Sequence, residues 1–209
     1  QRTEIERAIR ELREAGVASI AVCLLHSYAN PAHERLIQAV ASEIAPGLHV
    51  SVSCGVLPEI REYERTVATV LNAYTRPYIA TYLERIEERL RSAGVDARLR
   101  VMQSNGGVAS RSYAESQPLR LLESGPAAGA LAAAHLSTSV GTGKVLAFDM
   151  GGTTAKACLI TDGEPEVTTE FEAARVHRFK RGSGFPVRLP IVDLIEIGAG
   201  GGSVARVDQ

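Results

Sequence analysis

Eight consecutive residues, Asp149-Met-Gly-Gly-Thr-Thr-Ala-Lys156, restrict what this chain can fold into more than any other stretch. Apolar Val145-Leu-Ala-Phe148 runs into an aspartate, two glycines and two threonines, and a second apolar run, Ala157-Cys-Leu-Ile160, leaves them. The pattern predicts strand, tight turn, strand, with a carboxylate and two hydroxyls held at the bend. Adjacent glycines let backbone N–H groups approach an oxyanion without Cβ obstruction, and a bend can aim several of them at one point. An aspartate beside such a nest suits the Mg²⁺ that accompanies a phosphate better than the phosphate itself. Two readings fit the spacing: half of an ATP site, or an ordinary hairpin with a Gly-Gly turn.

The rest of the chain narrows the class. Its 209 residues make one large domain or two small ones, enough to bury a core. A net charge of −1 with no basic run argues against nucleic acid as a partner. Cys23, Cys54 and Cys158 are odd in number, far apart and set in apolar stretches, as expected of reduced thiols in a cytoplasmic protein rather than a disulfide framework or zinc site. The charge-free stretch 124–143 has the length of a membrane span, but it is built from Ala, Gly, Ser and Thr, so no membrane association is expected. No signal peptide is visible. The start at Gln1, inside a helical pattern and without an initiator Met, suggests a piece of something longer.

Periodicity predicts α/β architecture. Residues 3–15 put Ile5, Ala8, Ile9 and Leu12 on one helical face, and Val17–Leu25 reads as a parallel strand buried on both sides. Asn30-Pro31 starts a helix to about Ala45, and a short strand follows at Leu48–Ser53. Residues 58–91 read as helical in two pieces, because Pro77 starts a helix more readily than it continues one. Leu99–Gln103 is a strand that ends in Ser104-Asn-Gly-Gly107; a helix of small residues spans Gly125–Leu136, and Ser137–Gly143 is a linker. Lys144–Met150, Ala155–Ile160 and Glu166–Glu172 then form an antiparallel meander, with 174–190 as a loop and Ile191–Ile197 and Val204–Val207 as further strands.

Other motifs carry less. Gly141-Thr-Gly-Lys144 ends like a P-loop, but its earlier glycine is misplaced and a strand follows where a helix is required. Gly198-Ala-Gly-Gly-Gly-Ser203 has Ser where a dinucleotide fingerprint needs its third Gly. Four glycines in five positions are costly to order, so this stretch belongs where backbone meets a ligand or another backbone. His26, His33 and Glu34 flank a strand end without a metal-ligand pattern, and the charge run Glu59 to Arg65 reads as the wet face of a helix, with an inward Arg or Glu left open.

Five stretches together resemble the hydantoinase/oxoprolinase family, which includes N-methylhydantoinase A, 5-oxoprolinase and subunits of acetone and acetophenone carboxylases. They are Arg61-Glu-Tyr-Glu-Arg-Thr66 with Leu71-Asn-Ala-Tyr74, Met102-Gln-Ser-Asn-Gly-Gly107, Glu123-Ser-Gly-Pro-Ala-Ala-Gly129, Phe148–Lys156 and Ile197–Ser203. The family is in turn similar to the actin-like (ribonuclease H-like) ATPases, whose two α/β lobes clasp ATP–Mg²⁺. The resemblance implies that Asp149–Thr154 is the second phosphate hairpin. Asp149 would then stand in the Mg²⁺ shell, and Gly151, Gly152, Thr153 and Thr154 would contact phosphates. Lys156 would either add positive charge or face solvent, and the Gly200, Gly201 and Gly202 loop would lie near the nucleotide. It further implies residues 1–57 as the end of an N-terminal domain, 58–136 as part of lobe one with an interlobe helix, and 144–209 as the start of lobe two. The first phosphate hairpin would precede Gln1 and the adenosine pocket would follow Gln209. The implied chemistry is ATP-dependent hydrolysis of a cyclic amide through carbonyl phosphorylation. Alternatives are a ketone carboxylase subunit, catalytic or vestigial, and a nucleotide switch or reactivating chaperone. A partner subunit of the hydantoinase B or carboxylase type is expected, and no catalytic residue is assigned.

Overall fold

The structure is a computed structural model that describes residues 1–174, 176–177, 182–204 and 206–207. It is α/β, and its contacts divide it into two units that interleave along the chain: 1–101, 109–120 and 170–189 form the first, and 102–108, 121–169 and 190–209 the second.

The first unit opens with α1 (Arg2–Glu14), β1 (Ser19–Val22), α2 (Ala32–Ile44) and β2 (His49–Val52). β1 and β2 are parallel, with Ser19 opposite His49 and Val22 opposite Val52. Ile9 of α1, Val40 and Ala41 of α2, and Val50 and Val52 of β2 form the core. Ile5 joins it, whereas Ala8 and Leu12 of the expected apolar face are exposed. The long apolar run supplies only four strand residues, and Leu25 beyond them lies open to water. Asn30 does start α2, its Oδ1 accepting from the Ala32 N–H at 3.1 Å.

After the single turn α3 (Ser53–Val56), α4 runs unbroken over Glu62–Ser92 with Pro77 inside it, and 58–61 are not helical. The expected break at Pro77 is therefore wrong. A proline leaves the carbonyl four residues back without its N–H partner. Here that carbonyl belongs to Ala73, and the Ser19 hydroxyl on β1 donates to it at 2.8 Å. The strand repairs the helix. β3 (Arg100–Met102) and β4 (Val108–Ser110) form a hairpin around the predicted Asn105-Gly106 turn, and α5 (Arg111–Ser116) follows, capped by the Ser110 hydroxyl.

In the second unit α6 (Ser124–Val140) is a turn longer than its apolar pattern suggests. The hydroxyls of Ser137 and Thr138 fold back onto the Ala134 carbonyl and that of Ser139 onto His135, so the expected linker residues extend the helix to Gly141. β5 (Lys144–Met150) and β6 (Ala155–Thr161) form the predicted hairpin; the left-handed Asp162-Gly163 turn leads to β7 (Glu164–Pro165), which pairs back on β6. The expected third meander strand over 166–172 is split between the units, as β8 (Val167–Thr168) in the second and β9 (Phe171–Ala173) in the first.

β10 (Phe185–Val187) pairs with β9 inside the segment expected as loop, of which 175 and 178–181 lie outside the described residues. β11 (Ile191–Val192) pairs with β8, and β12 (Ile195–Ile197) with the free side of β6, giving the sheet order β12-β6-β5. Val204, Arg206 and Val207 are in no strand, and Ala205 lies outside the described residues. α6 buries Cys158 of this sheet and Val192 of β11 against Ala127 and Ala130. Among the described residues no helix is long and apolar enough to cross a membrane.

Candidate functional site

The site grows from the β5–β6 bend. Asp149 and Lys156 stand opposite each other one pair before Met150 and Ala155, the last pair of the hairpin, and the Gly151 N–H donates to the Thr154 carbonyl at 2.9 Å to close the bend. The 198–203 loop then captures the outside of the bend. The Gly201 N–H donates to the Gly151 carbonyl at 2.9 Å and the Gly202 N–H to the Gly152 carbonyl at 3.2 Å. The loop is itself closed by Ser203, whose N–H donates to the Gly200 carbonyl and whose Oγ accepts from the Gly200 N–H. A Cβ on Gly200 would lie 2.6 Å from the Gly152 carbonyl carbon and the Thr153 nitrogen. The glycine cluster is thus explained by backbone meeting backbone.

In a trans peptide the C=O and the next N–H point in opposite directions, and among the described residues no peptide bond is cis. Since the Gly151 and Gly152 carbonyls both face the glycine loop, the N–H groups of Gly152 and Thr153 both face away from it. Two consecutive amides on one side form a nest for an oxyanion. The N–H groups of Gly200, Gly201 and Gly202, by contrast, are spent on Ser203 and on the bend itself.

Of the side chains, Asp149 and Thr153 are exposed and Thr154 is half-buried. Lys156 neither faces solvent nor stands free: it is 16% exposed and ion-paired with Glu123. Glu123 is the residue that sequence reasoning did not find as a partner. It is the N-cap of α6, held left-handed at φ 57°, and 33 positions separate it from Lys156. Pro126, Gly129 and Ala130 of α6 and Asp149, Lys156 and Cys158 of the sheet border a cavity of about 300 Å³. Burial pushes the Cys158 thiol up, away from thiolate chemistry.

The donor set fits Mg²⁺ of the kind that accompanies phosphate. Such an ion takes one or two carboxylates, keeps several waters and shares the phosphate oxygens, and Asp149 beside the nest supplies a carboxylate. An all-protein cage does not form: among the described residues no three His, Cys, Asp or Glu side chains converge. Glu34, next to His33, instead accepts from Ser53 and from the N–H groups of Leu24 and Cys54. The Ser104–Gly107 loop is also taken up structurally, since the Ser104 carbonyl accepts from Val192 and Gly106 lies against Leu131 of α6. All three cysteines are free thiols; Cys158 is buried, and Cys23 and Cys54 are half-buried.

Comparison with known proteins gives consistent matches. A family model described as hydantoinase/oxoprolinase matches residues 65–209, and one for the N-terminal region of the same proteins matches residues 1–45. An uncharacterised protein of Methanocaldococcus jannaschii is 41% identical over 99% of the chain and 31% of its own length. The caprolactamase alpha subunit of Pseudomonas jessenii is 32% identical over 98% of the chain and 28% of its own length. The chain therefore spans about a third or less of these relatives. A crystal structure of that ATP-dependent caprolactamase superposes with a TM-score of 0.77 at 32% identity, over 98% of this chain and 28% of that one. The nucleotide-free structure of an acetone carboxylase gives 0.72 at 29% identity, with the same coverage of both chains.

Proposed function

The chain belongs to the hydantoinase/oxoprolinase family, and from that premise we propose that its 144–209 region carries the second phosphate hairpin of an actin-like ATPase acting on small carbonyl compounds. One observation carries the reading: the N–H groups of Gly152 and Thr153 are turned to the same side by the glycine loop behind them. In this reading those amides and the Thr153 and Thr154 hydroxyls hold phosphate oxygens. Gly200, Gly201 and Gly202 hold the bend rather than the nucleotide. Asp149 orients the water shell of Mg²⁺, which when bound neutralises charge on the phosphates. Glu123, ion-paired with Lys156, fixes it at the mouth of the cavity.

The reaction we assign to the parent protein is ATP-dependent opening of a cyclic amide. The amide oxygen takes the γ-phosphoryl group as ADP leaves. Water then adds to the activated carbon, and the ring C–N bond breaks with its electron pair going to nitrogen. A second water releases phosphate from the resulting acyl phosphate. Such transfer depends on positioning and charge stabilisation more than on covalent help from the protein. Ketone carboxylation is the second reading, favoured by the match to acetone carboxylase. Both involve a partner subunit and ATP with Mg²⁺.

The test is phosphate release from ATP by the protein that carries this chain, offered hydantoin, 5-oxoproline, ε-caprolactam or acetone, with and without bicarbonate. Stimulation by a cyclic amide without bicarbonate is expected; stimulation by acetone only with bicarbonate would favour carboxylation. Asp149→Ala should lower the stimulated rate by about 10²–10³-fold, as loss of one preorganised charge-stabilising contact does. Equal turnover in the variant removes the assignment, and no stimulation by any of the compounds would favour a nucleotide switch.

A further inference from the structure

Two charge clusters of the first unit are closed within themselves. Buried Arg65 reaches buried Glu34 through the hydroxyls of Ser27 and Ser53, and Arg111 lies between Glu87 and Glu115. Lys156 of β6, in the second unit, is paired less directly. Its register partner on β5 is Asp149 and on β12 is Glu196, so a carboxylate flanks it on each side. Residues opposite each other in an antiparallel pair project to the same face, with Cβ atoms about 4.5–5.5 Å apart, and opposite charges there attract. A lysine has the length and the freedom to reach either one. It takes neither. Its ammonium is ion-paired with Glu123, and among the described residues the carboxylates of Asp149 and Glu196 have no ion-pair or hydrogen-bond partner.

The fold explains the choice. The alternation that turns Cys158 toward α6 turns Lys156, two residues earlier, the same way. Glu123 stands there as the N-cap of α6, where the positive end of the helix dipole favours a carboxylate. The lysine is 16% and the glutamate 27% exposed, whereas Asp149 lies open to water. Attraction between charges strengthens as water is excluded, which makes Glu123 the better partner. Lys156 and Asp149 nevertheless border the same cavity beside α6. An ammonium seated on Asp149 would occupy the carboxylate oxygens and set a positive charge where a second cation has to approach. A Mg²⁺ ion that keeps several of its waters needs those oxygens as acceptors.

We propose that Glu123 is a positioning residue: it holds the Lys156 ammonium off Asp149 and so keeps that carboxylate open to a hydrated divalent cation. The role rests on Asp149 serving the Mg²⁺ that accompanies the nucleotide. Glu123 itself touches neither metal nor phosphate and acts only through the lysine. Without it the lysine falls back on the carboxylate across the hairpin, and taking the lysine away repairs the loss.

The test uses the protein that carries this chain, with Glu123→Asn as the variant. Asparagine tolerates the left-handed backbone of position 123, at φ 57°, and still caps a helix, but it lacks the charge and the reach. In protein labelled at the aspartate carboxyl carbon, free of nucleotide and Mg²⁺ near neutral pH, the Asp149 resonance (identified by its loss in Asp149→Asn) should move in Glu123→Asn. It should return toward its wild-type position when Lys156→Met is added. ATP titrations with and without Mg²⁺ read the consequence. The tightening that Mg²⁺ gives should fall about fivefold in Glu123→Asn, the upper end for an ion pair open to water, and recover in the double variant. An unmoved Asp149 resonance in a folded Glu123→Asn variant would overturn the proposal. So would a double variant that stays as weak as Glu123→Asn, since Glu123 would then contact the metal or the phosphate itself. Mg²⁺ tightening that survives Asp149→Ala removes the metal assignment instead, and the resonance still decides whether Glu123 holds the lysine away.

Discussion

Gly200 shows how much one missing Cβ decides. Its neighbours within 2.7 Å of a built Cβ are backbone atoms of Gly151, Gly152 and Thr153, and none can rotate away. Gly200→Ala should therefore push the loop off the bend, costing about 1–3 kcal/mol as overpacking does, and release the Gly152 and Thr153 amides from their common side. Gly201→Ala, whose Cβ would meet its neighbour at an ordinary 3.7 Å, is the control. Thermal denaturation and ATP–Mg²⁺ titration should separate the two variants, Gly200→Ala losing both stability and binding. Glu34 makes a second test. Burial pushes its carboxyl up, but the Ser53 hydroxyl and the Cys54 and Leu24 amides outweigh this and hold it below the usual carboxylate range. A group lowered by folding contributes fully above its unfolded value of about 4.3 and stops contributing as pH falls through the folded value. The wild-type chain should lose stability in acid below about pH 4.3, and Glu34→Gln should flatten that slope while costing about 3 kcal/mol at neutral pH by stranding Arg65. Denaturant melts from pH 3 to 7 would measure both effects. The bend was legible in the sequence because its chemistry lies in eight adjacent residues. The ion pair that fixes Lys156 was not, since no local pattern points to a glutamate 33 residues away.

Pro77 sits inside α4 without breaking it. Local sequence predicts a break, because the proline removes an N–H and no nearby residue replaces it. The replacement comes from Ser19, 54 positions earlier than Ala73, whose hydroxyl reaches the Ala73 carbonyl across the β1–α4 contact. The start of α2 at Asn30-Pro31 and the β5–β6 hairpin were readable from capping and turn chemistry, which are local. The continuity of α4, the hydroxyl-extended end of α6 and the pairing of β12 with β6 depend on partners that only the folded chain brings together. The Ser19 bond is open to a double-mutant cycle. Ser19→Ala should cost about 1–2 kcal/mol in urea denaturation, because it leaves a buried carbonyl unsatisfied. In a Pro77→Ala background the helix supplies its own N–H to the same carbonyl, and the Ser19→Ala cost should shrink by about half or more. Equal costs in the two backgrounds would show that the hydroxyl serves the β1–β2 pairing instead, where it also donates to the His49 carbonyl of β2 at 3.3 Å.

The whole chain is held by two units of different character. The first closes a core between α1, α2 and β2 and spends its buried charges on one another. The second covers only one face of its sheet, with Ala127, Ala130 and Ala134 of α6 providing the small surface that lets the helix lie close to Cys158 and Ala147. On the opposite face the register aligns Leu146 with Leu159, and sets Phe148 and Ile195 on either side of Ala157 and Met150 and Ile197 on either side of Ala155. Leu146, Phe148, Met150, Leu159, Ile195 and Ile197 are between 43% and 61% exposed, so the pleat presents a continuous apolar surface. Alternation along β5 and β6 would normally place polar residues on a wet face; here both faces are apolar, the pattern of a sheet covered on both sides. A face of this kind marks an interaction surface and, left open, an aggregation liability. The 209-residue chain by itself should therefore bind a hydrophobic dye and self-associate with rising concentration in sedimentation velocity. Leu146→Lys with Ile195→Lys places two charges on that face without touching the α6 side, and should return the chain toward monomer while leaving its Tm within a few degrees. If association persists unchanged in this variant, the contact lies elsewhere on the chain and the sheet face plays no part in it.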